Sequence, residues 1–193
     1  MENQEFSVRE LQQKVEQAVS DFVRENPSLL ELEAHEQAIS HRVAYYLESQ
    51  FRKGTNLNVD CEYDQHLDVC KTFNFEKEYK KCDCVGCKKA RKKKSNPKKL
   101  CRPDILVHSR GNDDRNLIVI EIKQDERCLF DEAKLKALTK PKTEEAKGEF
   151  GYQLGVFLYF PKKITGVREQ KIFVVLRQEA GDGQWQSSLL ECR

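Results

Sequence analysis

The sequence lacks any apolar run approaching the roughly 20 residues needed to span a bilayer, and its mean hydropathy is −0.75. Its opening, Met1-Glu2-Asn3-Gln4-Glu5-Phe6, has neither the basic start nor the apolar stretch of an export signal. These absences predict a cytoplasmic location and no membrane partner. There is also no Gly-rich phosphate loop, no G-x-S-x-G and no internal repeat, which disfavours nucleotide-driven motor activity and serine hydrolysis. At 193 residues the chain can bury one good core, so one domain over 1–193 is the expectation.

Two strings hold the chemistry: Arg102-Pro103-Asp104-Ile105-Leu106-Val107-His108 and Leu117-Ile118-Val119-Ile120-Glu121-Ile122-Lys123. Side chains alternate faces along a strand, so Glu121 and Lys123 project together, opposite Ile120 and Ile122. Gly111-Asn112-Asp113-Asp114 between the strings is turn chemistry, which predicts antiparallel neighbours that bring Asp104 toward Glu121. Two carboxylates and an ammonium suit a hard cation acting on phosphate. Mg2+ or Mn2+ binds such sites through few protein oxygens and keeps waters for substrate. His108 falls on the face of Asp104, but a polar residue at a strand end needs no function.

Pro103-Asp104 followed by Glu121-Ile122-Lys123 resembles the signature of the PD-(D/E)XK nuclease superfamily, which includes restriction endonucleases, RecB-type nuclease domains and Holliday-junction resolvases. The pattern around it is similar too. Ala38, Ile39, Val43, Ala44, Tyr46 and Leu47 predict a helix between Leu32 and Phe51, and Leu57 to Tyr63 alternates as a first strand. After the motif, Asp131 opens a helix running to about Lys147, and Tyr152 to Phe160 supplies a buried strand. Lys171 to Arg177 would extend the sheet. The order helix, strand, strand, strand, helix, strand over about residues 30 to 177 is that of the superfamily. The resemblance implies an α/β restriction endonuclease-like fold, a mixed central sheet flanked by helices. It also implies a metal-dependent nuclease in which Asp104 and Glu121 bind Mg2+ or Mn2+, Lys123 positions water and stabilises charge, and Glu36, from the first core helix, completes the site.

Residues 1–26 form a separate accessory element, with Phe6, Leu11, Val15, Val19 and Phe22 at helical spacing and Pro27 closing the helix. Its expected role is to cover the sheet or the next helix.

A Cys/Lys-rich insertion over 70–101 interrupts the pattern. Lys88, Lys89, Arg91, Lys92, Lys93, Lys94, Lys98 and Lys99 place eight positive charges in a segment without an acid, while the whole chain carries only +2. Everything else therefore sums to −6. A basic arm beside the proposed site would attract the phosphate backbone of nucleic acid, DNA above all, without reading sequence. Lys134, Lys136, Lys140 and Lys142 offer a second basic set. Within the insertion, Cys82-Asp83-Cys84-Val85-Gly86-Cys87 combines C-x-C and C-x-x-C spacing. In a reducing cytoplasm eight cysteines argue against disulfides, and clustered thiolates suit tetrahedral zinc. The expected ligands are Cys82, Cys84, Cys87 and either Cys101 or Cys70, with His66 able to substitute. An iron–sulfur cluster is the alternative use. Cys61, Cys128 and Cys192 read as buried or incidental thiols. Two further functional classes compete with the nuclease: a non-cleaving nucleic-acid-binding module, and a zinc-stabilised adaptor that retains the fold.

Overall fold

The structure is a computed structural model that describes residues 5–51, 55–63, 65–66, 69–70, 72–74, 82–84, 87–88, 98–100, 102–112, 114–124, 128–141, 150–160, 171–177 and 186–191, with backbone alone at 65–66, 69–70, 72–74, 98–100, 171–177 and 186–191. Three helices come first. Helix α1, Val8–Glu25, starts at a capping box in which the Ser7 amide donates to Glu10 Oε2 (2.8 Å) and the Glu10 amide donates to Ser7 Oγ (3.3 Å). Its buried stripe is Leu11, Val15, Ala18, Val19 and Phe22, and it stops before Pro27, which opens the short α2, Pro27–Glu31. Helix α3, Glu36–Ser49, starts four residues later than the periodicity from Leu32 suggests. Glu33 adopts a left-handed φ of 52°, which interrupts the helix, and His35 Nδ1 then accepts from the Gln37 amide as a new cap.

A six-stranded sheet follows among the described residues. Its members are β1 (Asn58–Cys61), β6 (Ile105–His108), β7 (Asn116–Lys123), β8 (Leu154–Tyr159), β9 (Lys171–Arg177) and β10 (Gln186–Glu191), side by side in that order. All neighbouring pairs are antiparallel except β7 with β8. Gly111, at φ 78°, makes the turn between β6 and β7, where the Asp114 amide donates to Asn112 Oδ1. The parallel step requires a crossover, and helix α4, Leu129–Leu138, lies on that connection. Strand β10 extends the sheet by one strand beyond Lys171–Arg177, the last that the apolar runs predict. Two small antiparallel pairs lie outside the sheet: β2 (Gln65–His66) with β3 (Val69–Cys70), and β4 (Thr72–Asn74) with β5 (Lys98–Leu100).

Alternation along the strands builds two cores. Ile105, Val107, Ile118, Ile120, Ile122, Val156 and Leu158 pack beneath α1 and α3, where the Phe22 and Phe160 rings meet edge to face at 5.7 Å. Leu106, Val119, Phe157, Tyr152 and Phe150 pack beneath Leu135 and Leu138 of α4 on the other face. Both faces of the central strands are covered, so β7 is buried along nearly its whole length. The accessory helix is part of the first of these layers.

At the edge of the sheet, Asp60 on β1 accepts from His108 Nε2 (3.0 Å) and pairs with the Arg110 guanidinium. Burial would raise the Asp60 carboxyl, but Arg110 and His108 outweigh it and hold it well below the ordinary range. His108 is thus a structural partner of Asp60, stacked edge-on against Tyr63 at 4.8 Å.

Helix α4 approaches β8 closely at Gly155, where an added Cβ would lie 2.9 Å from Thr139 Cγ2. Thr139 is fully buried and its hydroxyl donates to the Leu135 carbonyl, so it has no easy retreat. Gly155→Ala is expected to destabilise the fold by about 1–3 kcal/mol through overpacking, read as a lower urea midpoint at unchanged m-value.

Candidate active site and cysteine cluster

The β6–β7 register pairs Ile105 with Ile120 and Leu106 with Val119. One step outward, it sets Asp104 opposite Glu121 on the face covered by α4. Asp104 Oδ2 accepts from the Ile122 amide at 2.6 Å, which anchors it to the neighbouring strand. Glu36, at the start of α3, accepts through Oε2 from Lys123 Nζ (3.1 Å) and through Oε1 from the Gln124 amide (3.2 Å). The structure therefore gathers Glu36, Asp104, Glu121 and Lys123 at the end of β7.

It adds two residues that the sequence reading missed. Asp131 and Lys134 project from the first turns of α4: Lys134 Nζ donates to Glu121 Oε2 at 2.7 Å and lies 2.8 Å from Asp131 Oδ1, while Asp131 Oδ2 is 3.5 Å from Lys123 Nζ. Lys134 is buried, so it cannot serve in the second basic set; Lys136 and Lys140 are exposed, and Lys142 lies outside the described residues. The signal was available. Asp131, Lys134, Leu135 and Leu138 fall at i, i+3, i+4 and i+7, so two charged residues occupy the helix stripe that must face the core.

Among the described residues the cluster sets four acids against two lysines, a formal excess of two negative charges when all are ionised. Burial pushes the Glu121 carboxyl well above its ordinary range; Lys134 opposes this, and Asp104 and Asp131 add to it. Burial also raises Asp104, against the Ile122 amide and both lysines. Burial would raise Asp131, but Lys134 and Lys123 outweigh it and keep that carboxyl low. The lysines follow the reverse pattern: burial disfavours each ammonium, yet Glu121 and Asp131 lift Lys134, and Asp131 and Glu36 lift Lys123. One atom stays unsatisfied: among the described residues, Glu121 Oε1 is a buried side-chain oxygen with no hydrogen-bond partner. Such an oxygen beside Asp104 is of the donor type that a hard divalent cation takes as a ligand.

The cysteine cluster stands against the same helix. Cys82, Cys84 and Cys87 come together with Cys128, their Sγ atoms all within 4.8 Å of one another. Cys128 Sγ lies 3.8, 3.5 and 3.9 Å from those of Cys82, Cys84 and Cys87. A tetrahedron with metal–sulfur bonds of about 2.3 Å has edges of about 3.8 Å, so these four thiols can hold one metal ion. An iron–sulfur cluster places several atoms between its cysteines and needs a wider opening. Cys128, which the sequence suggests to be a buried or incidental thiol, is buried and is the fourth member. Cys101 lies outside the described residues, as do the side chains of Cys70 and His66. Burial raises Cys82, but hydrogen bonds from the Cys84 backbone and thiol outweigh it and bring it down to about 7, whereas burial drives Cys128 upward.

Of the basic arm, Lys88 is exposed and 3.9 Å from Asp83, and Lys98 and Lys99 belong to β5. Lys89, Arg91, Lys92, Lys93 and Lys94 lie outside the described residues. No helix among those described is long and apolar enough to cross a membrane. No family model, curated protein or solved structure matches the chain.

The raised carboxyls set a pH dependence with a definite sign. Protons and a cation compete for Glu121 and Asp104, so Mn2+ affinity measured by calorimetry is expected to rise with pH, with about one to two protons released per ion. Without metal, the folded chain holds protons on Asp104 and Glu121 more tightly than the unfolded chain, so the contribution of these two carboxyls to stability is expected to fall as pH rises above about 4, opposite in sign to the contribution of Asp60 and Asp131. An affinity flat from pH 5 to 8 would contradict this assignment of the raised groups.

Proposed function

We propose that the protein is a metal-dependent nuclease of the restriction endonuclease-like fold, cleaving phosphodiester bonds of DNA in the cytoplasm, with a structural zinc at the cysteine cluster. The observation that carries this reading is the buried Glu121 Oε1, opposite Asp104 and without a hydrogen-bond partner among the described residues, which set four acids against two lysines. Asp104 and Glu121 would hold Mg2+ or Mn2+, which supplies Lewis acidity toward a phosphoryl oxygen and lowers the pKa of bound water. Lys123, kept protonated by Asp131 and Glu36, acts as an ammonium: it orients water or stabilises negative charge developing on phosphate, and does not take a proton. Glu36 holds that ammonium in place at 3.1 Å.

The test is cleavage of a panel of DNA and RNA substrates with Mg2+ or Mn2+. Asp104→Ala, Glu121→Ala and Lys123→Ala are each expected to lower cleavage at least about 100-fold with the fold retained by circular dichroism, and Glu36→Gln to impair it less. No cleavage above background by the parent protein, or equal cleavage by the triple variant, would refute the enzyme. The ion-pair network favours a second reading: Lys134 and Lys123 already engage three of the four acids, so the cluster could serve a non-cleaving nucleic-acid-binding module. That module would bind DNA equally well with and without the triad.

Two further outcomes address the insertion. Protein prepared without added metal is expected to contain about one zinc per chain, lost in Cys128→Ser. In an Asp104→Ala background, replacing Lys92, Lys93 and Lys94 by alanine is expected to reduce the slope of log affinity for duplex DNA against log salt by up to about 3. An unchanged slope would move phosphate capture away from the arm.

A further inference from the structure

Cys128 belongs to both halves of the molecule's chemistry. Its Sγ is one of the four clustered sulfurs, and its backbone is the N-cap of α4, with its carbonyl accepting from the amides of Asp131 and Glu132 at 3.1 Å each. No side chain caps the helix there. The first turn of α4 therefore takes its position from Cys128, and the cysteines facing Cys128 lie 41 to 46 residues away along the chain. A metal bound to all four sulfurs is the bond that would fix this end of α4 against the insertion. Asp131 sits in that first turn, and its carboxylate contacts both site lysines, Lys134 at 2.8 Å and Lys123 at 3.5 Å. Those lysines in turn hold Glu121 and Glu36.

We propose that Asp131 is the positioning residue through which the cysteine-bound metal sets the divalent-cation affinity of the Asp104–Glu121 site. The metal fixes Cys128, Cys128 fixes the first turn of α4, and Asp131 carries that position to the two ammonium groups lining the acidic site. This inference rests on the reading that both sites bind metal. It differs from that reading in predicting that the two sites are thermodynamically linked, and by reciprocity each must then alter the other by the same factor.

The experiment is a double-mutant cycle on the full chain, with Mn2+ binding followed by calorimetry and zinc by metal analysis. Asp131→Asn is expected to weaken Mn2+ binding about tenfold while keeping about one zinc per chain, and Cys82→Ser to lose zinc and weaken Mn2+ binding by a similar factor. The double variant is expected to be no weaker than the singles. Cys82→His, which preserves four ligands, is expected to recover both zinc and Mn2+ affinity. In case Cys82→Ser does not fold, the parent chain provides an independent arm. Its Co2+ affinity, read from thiolate–cobalt absorption, is expected to rise about tenfold when Mg2+ saturates the acidic site, and not to rise in Asp131→Asn. Losses that multiply to about a hundredfold in the double variant, or a Co2+ affinity indifferent to Mg2+, would overturn the coupling and leave both metal sites standing. A parent chain that binds only one of the two metals would overturn the underlying reading and the coupling together.

Discussion

The burial of the Glu121 carboxylate is the constraint to which the rest of the molecule is adjusted. Strand β7 has a neighbour on each side and a helical layer on each face, so a carboxylate at its end is 1% exposed and cannot turn to water. An uncompensated charge in such a place would neutralise itself by taking a proton. Lys134 supplies the counter-charge, which requires a second lysine-accepting group, Asp131, to hold that long side chain in one rotamer. Lys123 then links Asp131 to Glu36, drawing the start of α3 from the opposite layer into the same network. The two helical layers are thus tied together at one end of the sheet by charge, as they are joined elsewhere by apolar packing.

Helix α4 transmits this arrangement because it is held at both ends by different means. Its C-terminal half packs Leu135 and Leu138 on the sheet, and Thr139 sits where only a glycine, Gly155, leaves room. Its N-terminal half carries charged groups on the same stripe and begins at a cysteine of the cluster. An apolar contact tolerates small sliding, whereas a hydrogen-bonded ion pair at 2.7 Å does not. The end that needs the sharper placement is the end that the four thiols can clamp.

Periodicity made the layers legible. The alternation around Glu121 and Lys123 put both on one face, the turn residues at 111–114 gave an antiparallel pair, and the stripe of α1 gave a covering helix. Each of these is a local pattern read over a few residues. One feature that escaped is set by contacts distant along the chain. Cys128 has no spacing relation to Cys82, Cys84 and Cys87, so only the fold could recruit it as a fourth sulfur. Lys134 looked like a surface lysine because its neighbours Lys136 and Lys140 are surface lysines. Its placement on the buried stripe outweighed that resemblance. The late start of α3 depended on the backbone angle of a single residue, Glu33, whose side chain carries no such signal.

Whether the charged cluster is a site or a scaffold turns on charge balance. Buried ion pairs add little to stability compared with apolar packing of the same volume, because desolvation of each ion offsets the attraction between them. A cluster selected for stability alone would at least pair its charges. Among the described residues, Glu36, Asp104, Glu121 and Asp131 face Lys123 and Lys134, and burial drives the carboxyls of Asp104 and Glu121 upward. Those two are also adjacent across the β6–β7 ladder, and one of them leaves an oxygen without a partner among the described residues. Two protons would also settle the charge, with each neutral acid able to donate to an oxygen of its neighbour. One divalent cation would supply both charges and a partner for Glu121 Oε1 in place of those protons, so competition between protons and a cation at Asp104 and Glu121 is what separates a metal site from a scaffold here.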